Sequence, residues 1–278
     1  MNKRILCLVP GFGEPYMDRK ITIFKENYNK ITQQQIGIQY IICCYQPNID
    51  LIKINEIFNK KDISIIYEKG IVVDFLVKYL NPEKINSNFD RVLILFDDIE
   101  ILNVNFLVLD NLLINHKLDI ISPSLSNNSV YSHTYMLTTG KDTLRLVTHL
   151  ELFFYYMTVS SFSKYYEYLD IKNKWAWGID LIIGKKLLLG LVDSMTMRHH
   201  IIKSSYKNHQ DYDPKLLLIN YLKSRNEEPI KYKEEFIKLN NKEMNMNMNM
   251  NINIKDKGLN VKSLKPLNKK KKILMRLM

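Results

Sequence analysis

The apolar positions of this chain fall into short dense runs separated by amphipathic stretches, and that alternation sets the expected architecture. Residues 4–9 (RILCLV) and 37–45 (GIQYIICCY) are apolar on both sides of an extended chain, as buried strands are. Residues 21–30 between them have helical spacing. Residues 49–59 repeat it at Ile49, Ile52, Ile57 and Phe58, and residues 63–67 read as a third short strand. A helix then runs through Val72, Phe75, Leu76 and Tyr79 until Asn81-Pro82 stops it. Next comes the densest run, 91–102 (RVLILFDDIEIL), in which Val92–Phe96 has the length of a strand and is far too short for a membrane span. Strand, helix, strand, helix, strand predicts a parallel sheet with crossover helices.

Past that run the pattern predicts a helix over 106–115 and a strand over 119–122 closed by Ser122-Pro123-Ser124. A polar loop over 127–132 follows, then residues 133–139, which alternate enough for a strand but also fit an irregular segment, and an apolar element over 144–154. A helix over 162–169 leads through a loop at 170–174 to WAWGID (175–180), which opens a helix through 181–189. GLVDSMTMRHH (190–200) reads as a strand. Residues 213–240 have helical spacing at Leu216, Leu217, Ile219, Tyr221 and Leu222, then at Phe236 and Ile237, interrupted by Pro229. Asn-Met repeats over 241–253 have no means of packing a core. The expected organisation is one α/β, Rossmann-like domain over 1–206, with a central mixed, mostly parallel sheet flanked by helices. A helical extension over 207–240 and a low-complexity, disordered basic tail over 241–278 complete it.

Charge sharpens this division. The chain carries a net +11, of which residues 255–278, with eight Lys, one Arg and one Asp, supply +8. The body is therefore only mildly basic, which argues against a specific nucleic-acid partner, while the tail reads as a solvated, disordered segment, with weak attachment to an anionic membrane or to nucleic acid as the alternative. Cys7, Cys43 and Cys44 all lie in apolar runs, as buried thiols do in a reducing compartment, and no Cys/His spacing suggests zinc. The apolar run after Lys3-Arg4 is too short for a secretory signal, so a cytoplasmic location is expected.

Four stretches carry candidate chemistry. Asp97, Asp98 and Glu100 stand where a buried strand emerges, and adjacent carboxylates there call for a cation or strong donors. An Asp helix cap after an ordinary strand is the plainer reading. Pro10, Gly11, Phe12 and Gly13 begin a PGFGEP turn at the end of the first strand, where backbone can approach a ligand. Glu151 is a lone acid among Leu150, Leu152, Phe153 and Phe154, and must be paired, facing a cavity or turned to solvent. Trp175, Trp177 and Gly178 adjoin Asp180, an arrangement suited to sugar-ring recognition beside a general base, or to a helix cap. Asp193 precedes His199 in the last strand.

The order of these motifs, a buried strand into DDIE, an SP loop, an apolar segment with Glu, WGID and then D-x5-H, resembles the GT-A fold of nucleotide-sugar-dependent glycosyltransferases. It resembles especially a poorly characterised family with WG[IL]D and a D…H ending, over roughly residues 3–206. The resemblance implies Mn²⁺ or Mg²⁺ held by the acidic motif and the late His, here Asp98, Glu100 and His199. It puts Asp97 and the 10–13 turn at the nucleotide, and Ser122, Trp175, Trp177 and Gly178 at the substrate. Asp180 falls on the acid that many inverting members use as general base, and Glu151 in an acid-bearing segment that the family shares. The implied partners are a nucleotide-sugar donor and a saccharide, protein or lipid acceptor. Members often carry three acids in a row, and here the first is Phe96. A catalytically inactive GT-A-like binding protein and a nucleotidyltransferase with the same metal–carboxylate site are the alternative readings.

Overall fold

In the computed structural model, which describes residues 4–13, 16–45, 61–85, 88–200, 213–240 and 243, the apolar runs form the middle of one sheet. β4 (Arg91–Leu95) is buried at every position. It lies between β1 (Arg4–Phe12), parallel to it, and β8 (Phe154–Thr158), antiparallel to it. Beyond β1 the parallel set continues through β2 (Gly37–Cys44) to β3 (Ile63–Tyr67). Beyond β8 come β6 (Ile120–Leu125), β9 (Leu189–His199), β7 (Thr143–Val147) and β10 (Glu234–Lys238), while β5 (Ile99–Asn103) pairs with the far end of β9. β1–β4, β6, β9 and β10 run one way, and β5, β7 and β8 run against them. The sheet is thus mixed and mostly parallel, and helices flank it.

α1 (Met17–Thr32) shows how the polar residues of an amphipathic helix place a site. Its buried face carries Met17, Ile21, Phe24 and Ile31, and also Lys20 and Asn27. Asn27 donates to the carbonyl of Ile99 at 2.7 Å and accepts from the N–H of Ile101 at 2.7 Å. Lys30 donates to the Ile101 carbonyl at 2.6 Å. The helix therefore grips β5 by its backbone and fixes the turn that precedes it. α2 (Val72–Tyr79) and α4 (Phe106–Asn115) fall where the spacing predicts, the latter capped by the Asn105 side chain accepting from Val108 N–H at 3.1 Å. α3 (Pro82–Ile85) is one further turn after the predicted stop. α5 (Val159–Tyr166) starts earlier than predicted, at a Thr158 cap.

Several expectations are corrected. Pro10–Phe12 continues β1 instead of looping, with the register slipping between Val9 and Phe12. Ser122-Pro123-Ser124 runs inside β6, where a register shift after Pro123 accommodates the missing donor. Of the two readings of residues 133–139, the irregular one holds. Thr134–Met136 is a 3₁₀ turn, because the Arg145 guanidinium gathers the carbonyls of Tyr135 and Leu137 at 2.6 and 2.9 Å. WAWGID opens no α-helix; it is a series of turns ending in a 3₁₀ turn, Ile183–Lys185. Ala176 and Gly178 both sit at positive φ, and the Asn173 side chain takes both backbone groups of Trp177, which favours a turn over a helix start. Phe236 and Ile237, read as helical, lie in β10, where the free edge of β7 supplies their backbone partners. α6 (Pro214–Arg225) supplies the helix of the expected extension. The helix expected over 49–59 and the basic tail beyond Glu243 lie outside the described residues. Cys7, Cys43 and Cys44 are buried free thiols, and no described helix is long and apolar enough to cross a membrane.

Candidate active site at the carboxyl ends of β1 and β4

β4 ends at Leu95, and the chain turns through Asp97 and Asp98 directly into β5. Because β5 pairs with the end of β9, this turn is brought against the last residues of β9. His199 Nε2 stands 3.2 Å from Asp98 Oδ2. Burial alone would lower the His199 pKa, but Asp98 outweighs it and raises it; against its own burial, Asp98 is held below the ordinary range by His199. The two form a charged pair. Asp98 Oδ1 is sealed from solvent without a hydrogen-bond partner. His199 Nδ1 faces the Val130 carbonyl at 3.0 Å and donates to it, which orients the ring so that Nε2 would ligate a cation that displaced its proton. An oriented imidazole and an unsatisfied carboxylate oxygen fit a divalent cation that completes its shell with phosphate oxygens and water.

The third expected ligand is elsewhere. Glu100 lies one residue into β5, opposite Arg198 in the register, and pairs with Arg198 Nη1 at 3.3 Å and His200 Nε2 at 2.8 Å. Arg19 Nη2 meets His200 Nδ1 at 2.7 Å. A guanidinium only donates, so His200 accepts there and donates to Glu100. Among the described residues no three acidic, His or Cys side chains converge as a metal shell.

Asp97 points to α1. Lys20, a buried lysine, reaches Asp97 Oδ2 at 2.7 Å and the Gly13 carbonyl at 2.9 Å, tying the end of β1 to the acidic turn. Burial pushes the Asp97 pKa up to about 7, with Lys20 pulling it down and Asp98 raising it. Of the expected nucleotide-binding turn, Phe12 and Pro10 are core, Phe12 packing edge-on against Phe24. Gly11 is the part of it with solvent access, while Gly13 is pressed so closely on the Tyr45 ring that a Cβ would stand 2.5 Å from it. Lys20 was not singled out from the sequence, although a lysine on the apolar stripe of a helix is the signal that could have found it. Phe96, in the place of a first acid, packs against Phe153, whose ring lies 4.4 Å from the His199 ring.

Glu151 and Asp180 come together. Burial pushes Glu151 up to about 8, the charge of Asp180 adding to it, while Ser132 and the His133 N–H support its carboxyl. Asp180 is pushed by burial to about 6, and backbone N–H groups from Gly178 to Leu181 restrain the rise. Glu151 therefore holds its proton at neutral pH and Asp180 is largely ionised. Between the ordinary value near 4.5 and about 8 the folded chain carries a proton that the unfolded chain has released. Stability accordingly falls as pH rises through that window. Glu151→Gln is expected to flatten the decline in melting temperature between about pH 5 and pH 8. Parallel pH curves for variant and parent would show that Glu151 titrates normally.

The remaining expected residues divide. Ser122 is fully buried and its hydroxyl donates to the Pro123 carbonyl, so it turns away from any ligand. Trp175 and Trp177 are partly exposed beside Asp180. Gly178, at φ +81°, is packed so tightly that a Cβ would stand 2.4 Å from Leu218 of α6. Asp193 is no ligand. The register of β9 against β6 jumps from Val192 to Thr196, and this bulge turns the Asp193 carboxylate inward. It accepts from Ser124, Thr139, Thr143 and Arg145 at 2.7–2.8 Å.

No family model matches the chain, and no curated protein sequence does. Solved structures do match. GalNAc-T7, solved with UDP, GalNAc and Mn²⁺, superposes with a TM-score of 0.52 at 10% identity, over 79% of this chain and 48% of that one. TarS from S. aureus superposes with a TM-score of 0.50 at 12% identity, over 80% of this chain and 44% of that one. The fold is GT-A. The chain spans less than half the length of either protein. This GT-A sheet carries Asp98 with His199 at the end of β4, Glu100 apart from them, and Glu151 in the field of Asp180.

Proposed function

We propose that this GT-A chain is a metal-dependent glycosyltransferase, moving a sugar from a nucleotide-sugar donor to the hydroxyl of a saccharide, protein or lipid acceptor. The observation that carries the reading is the meeting of Asp98 and His199 where β4 ends, with one Asp98 oxygen buried and unpartnered. These two side chains would hold Mn²⁺ or Mg²⁺. When bound, the cation offsets the charge of the diphosphate leaving group. Glu100 instead orients Arg198 and His200 at the rim.

The other roles belong to the chain's own groups. The backbone at Gly11 faces the nucleotide, and Lys20, by holding Asp97 and the Gly13 carbonyl, fixes that edge of the site. Asp180 takes the acceptor's proton, since a carboxylate with a pKa near 6 is ionised at neutral pH yet more basic than an ordinary one. Trp175 and Trp177 wall the acceptor side, and Gly178 gives the turn its shape. The catalytic unit is read as residues 1–206, with β10 from the 207–240 extension completing the edge of its sheet.

A thermal-shift panel of UDP-, GDP- and CMP-sugars with and without Mn²⁺ tests the reading. The parent should be stabilised by one donor class in the presence of metal, following mass action on the folded state. Asp98→Asn should abolish that stabilisation. Its apo melting temperature should stay close to the parent's, because losing the His199 pair is offset by relief from Asp97. Equal metal-dependent shifts in variant and parent would sink the assignment of Asp98.

A further inference from the structure

Asp98 and His199 are few ligands for a divalent cation, and among the described residues no three acidic, His or Cys side chains form a shell. Affinity at such a site depends on how firmly the two are held before the ion arrives. Asp98 sits in the turn between β4 and β5, which the Ile99 N–H closes by donating to the Phe96 carbonyl at 3.2 Å. His199 is the last residue of β9, and its ring turns about two side-chain torsions. Nδ1 donates to the Val130 carbonyl at 3.0 Å, and Nε2 faces Asp98 at 3.2 Å. With a cation on Nε2 the contact to Asp98 passes to the ion. One hydrogen bond, to Val130, then remains, and a ring held by one bond can rock about it.

The other restraint lies on the face of the imidazole. The Phe153 ring stands 4.4 Å from it, tilted by 39°. Phe153 is itself anchored at both ends. Its N–H donates to the Glu151 carbonyl at 2.8 Å, and its carbonyl accepts from the Phe96 N–H at 3.1 Å, directly beyond the Leu95–Phe154 pair that ends the β4–β8 ladder. The Phe96 ring then meets the Phe153 ring edge-on, at 6.5 Å and 71°. Aromatic pairs at such spacings favour particular angles, so they fix orientation as well as bury area. Both phenylalanines are only partly buried, so the row Phe96, Phe153, His199 runs along the site and not through the interior.

We propose that Phe153, braced by Phe96, is a positioning residue that holds the His199 ring at the angle from which Nε2 ligates a divalent cation. The inference rests on the reading of Asp98 and His199 as the metal pair. Neither phenylalanine offers a ligand, and each acts through the next ring in the row. Val130 fixes one axis of the imidazole and Phe153 stops rotation about it, so the ring needs no third hydrogen bond to be set.

The test titrates Mn²⁺ into the full chain, alone and with UDP, GDP or CMP present, and follows the ion by electron paramagnetic resonance. The temperature is kept well below the unfolding of every variant, so that lost stability does not register as lost affinity. Phe153→Leu keeps apolar bulk and removes the flat face. It should bind Mn²⁺ roughly tenfold more weakly, the lower end of what is lost when a residue supporting a metal ligand is removed. Phe153→Tyr keeps the face and should bind as the parent does. Phe96→Leu should weaken binding by less, and should add nothing in the Phe153→Leu chain, because the ring it acts through is gone. Unchanged Mn²⁺ affinity in Phe153→Leu would overturn the inference. So would a Phe153→Tyr chain as weak as Phe153→Leu, which would mark a packing role alone. Additive losses in the double variant would overturn the part given to Phe96. A parent that binds no Mn²⁺ under any of these conditions would take down the metal reading itself, and the inference with it.

Discussion

Asp180→Asn is expected to bind metal and donor nearly as the parent does and to transfer sugar about a hundredfold more slowly or worse. The expectation rests on what holds the carboxylate. Backbone N–H groups from Gly178 to Leu181 support it, and an amide oxygen can accept those bonds as well. The fold at the turn should survive, because Gly178, Asn173 and α6 shape it independently of the Asp180 charge. What the amide cannot do is accept the acceptor's proton. Single-turnover transfer with labelled sugar, alongside donor affinity, separates the two effects. Collapse of donor affinity would place Asp180 on the sugar hydroxyls instead. Full activity would leave it a structural carboxylate and turn attention to Glu151.

Arg145→Leu is expected to cost about 3–5 kcal/mol of stability, the usual consequence of stripping the partner from a buried ion pair. Arg145 is 3% exposed at its side chain and Asp193 is fully buried. Losing the guanidinium strands a carboxylate that Ser124, Thr139 and Thr143 still hold charged, and frees the carbonyls of Tyr135 and Leu137. Chemical denaturation measures the loss, and a value under about 1 kcal/mol would show that the pair is not the clamp it looks to be. Replacing Asp193 as well should recover part of the loss, because the two changes share one network. The pair also has a pH signature. Burial would raise the Asp193 pKa, but Thr139, Thr143, Arg145 and Ser124 outweigh it and hold it below the ordinary value. Its contribution is therefore complete above the ordinary carboxylate pKa and is lost as pH falls through the depressed one.

How much of this was legible beforehand depends on how local the cause is. β4 could be read directly, because a strand buried on both faces needs an unbroken apolar run, and Arg91–Leu95 supplies one. The acids after it, and His199 as their partner, followed from motif order. The turn at Trp175–Asp180 could not be told from a helix start, because Asn173 and α6 decide it through side-chain contacts. Glu100 was grouped with Asp98 by proximity in sequence, whereas strand alternation in β5 sends it to Arg198 and His200. Asp193 looked like a companion of His199. Its real partners, Ser124, Thr139, Thr143 and Arg145, are 48 to 69 residues away, and only the fold assembles them.

The placing of β10 has a consequence for how the chain acquires its shape. Phe236 lies opposite Arg145 in the register, and β9 is inserted between β6 and β7, so the outer half of the sheet is woven from segments far apart in sequence. During synthesis, β1–β4 can associate through their own crossovers as soon as they emerge. The edge of β7 stays open until residues 234–238 have left the ribosome, and through that interval its backbone N–H and C=O groups are free to pair with another chain. Arg145, with its counter-charge on β9, sits in that late-closing strand, so its hold on the Tyr135 carbonyl is among the last contacts to set.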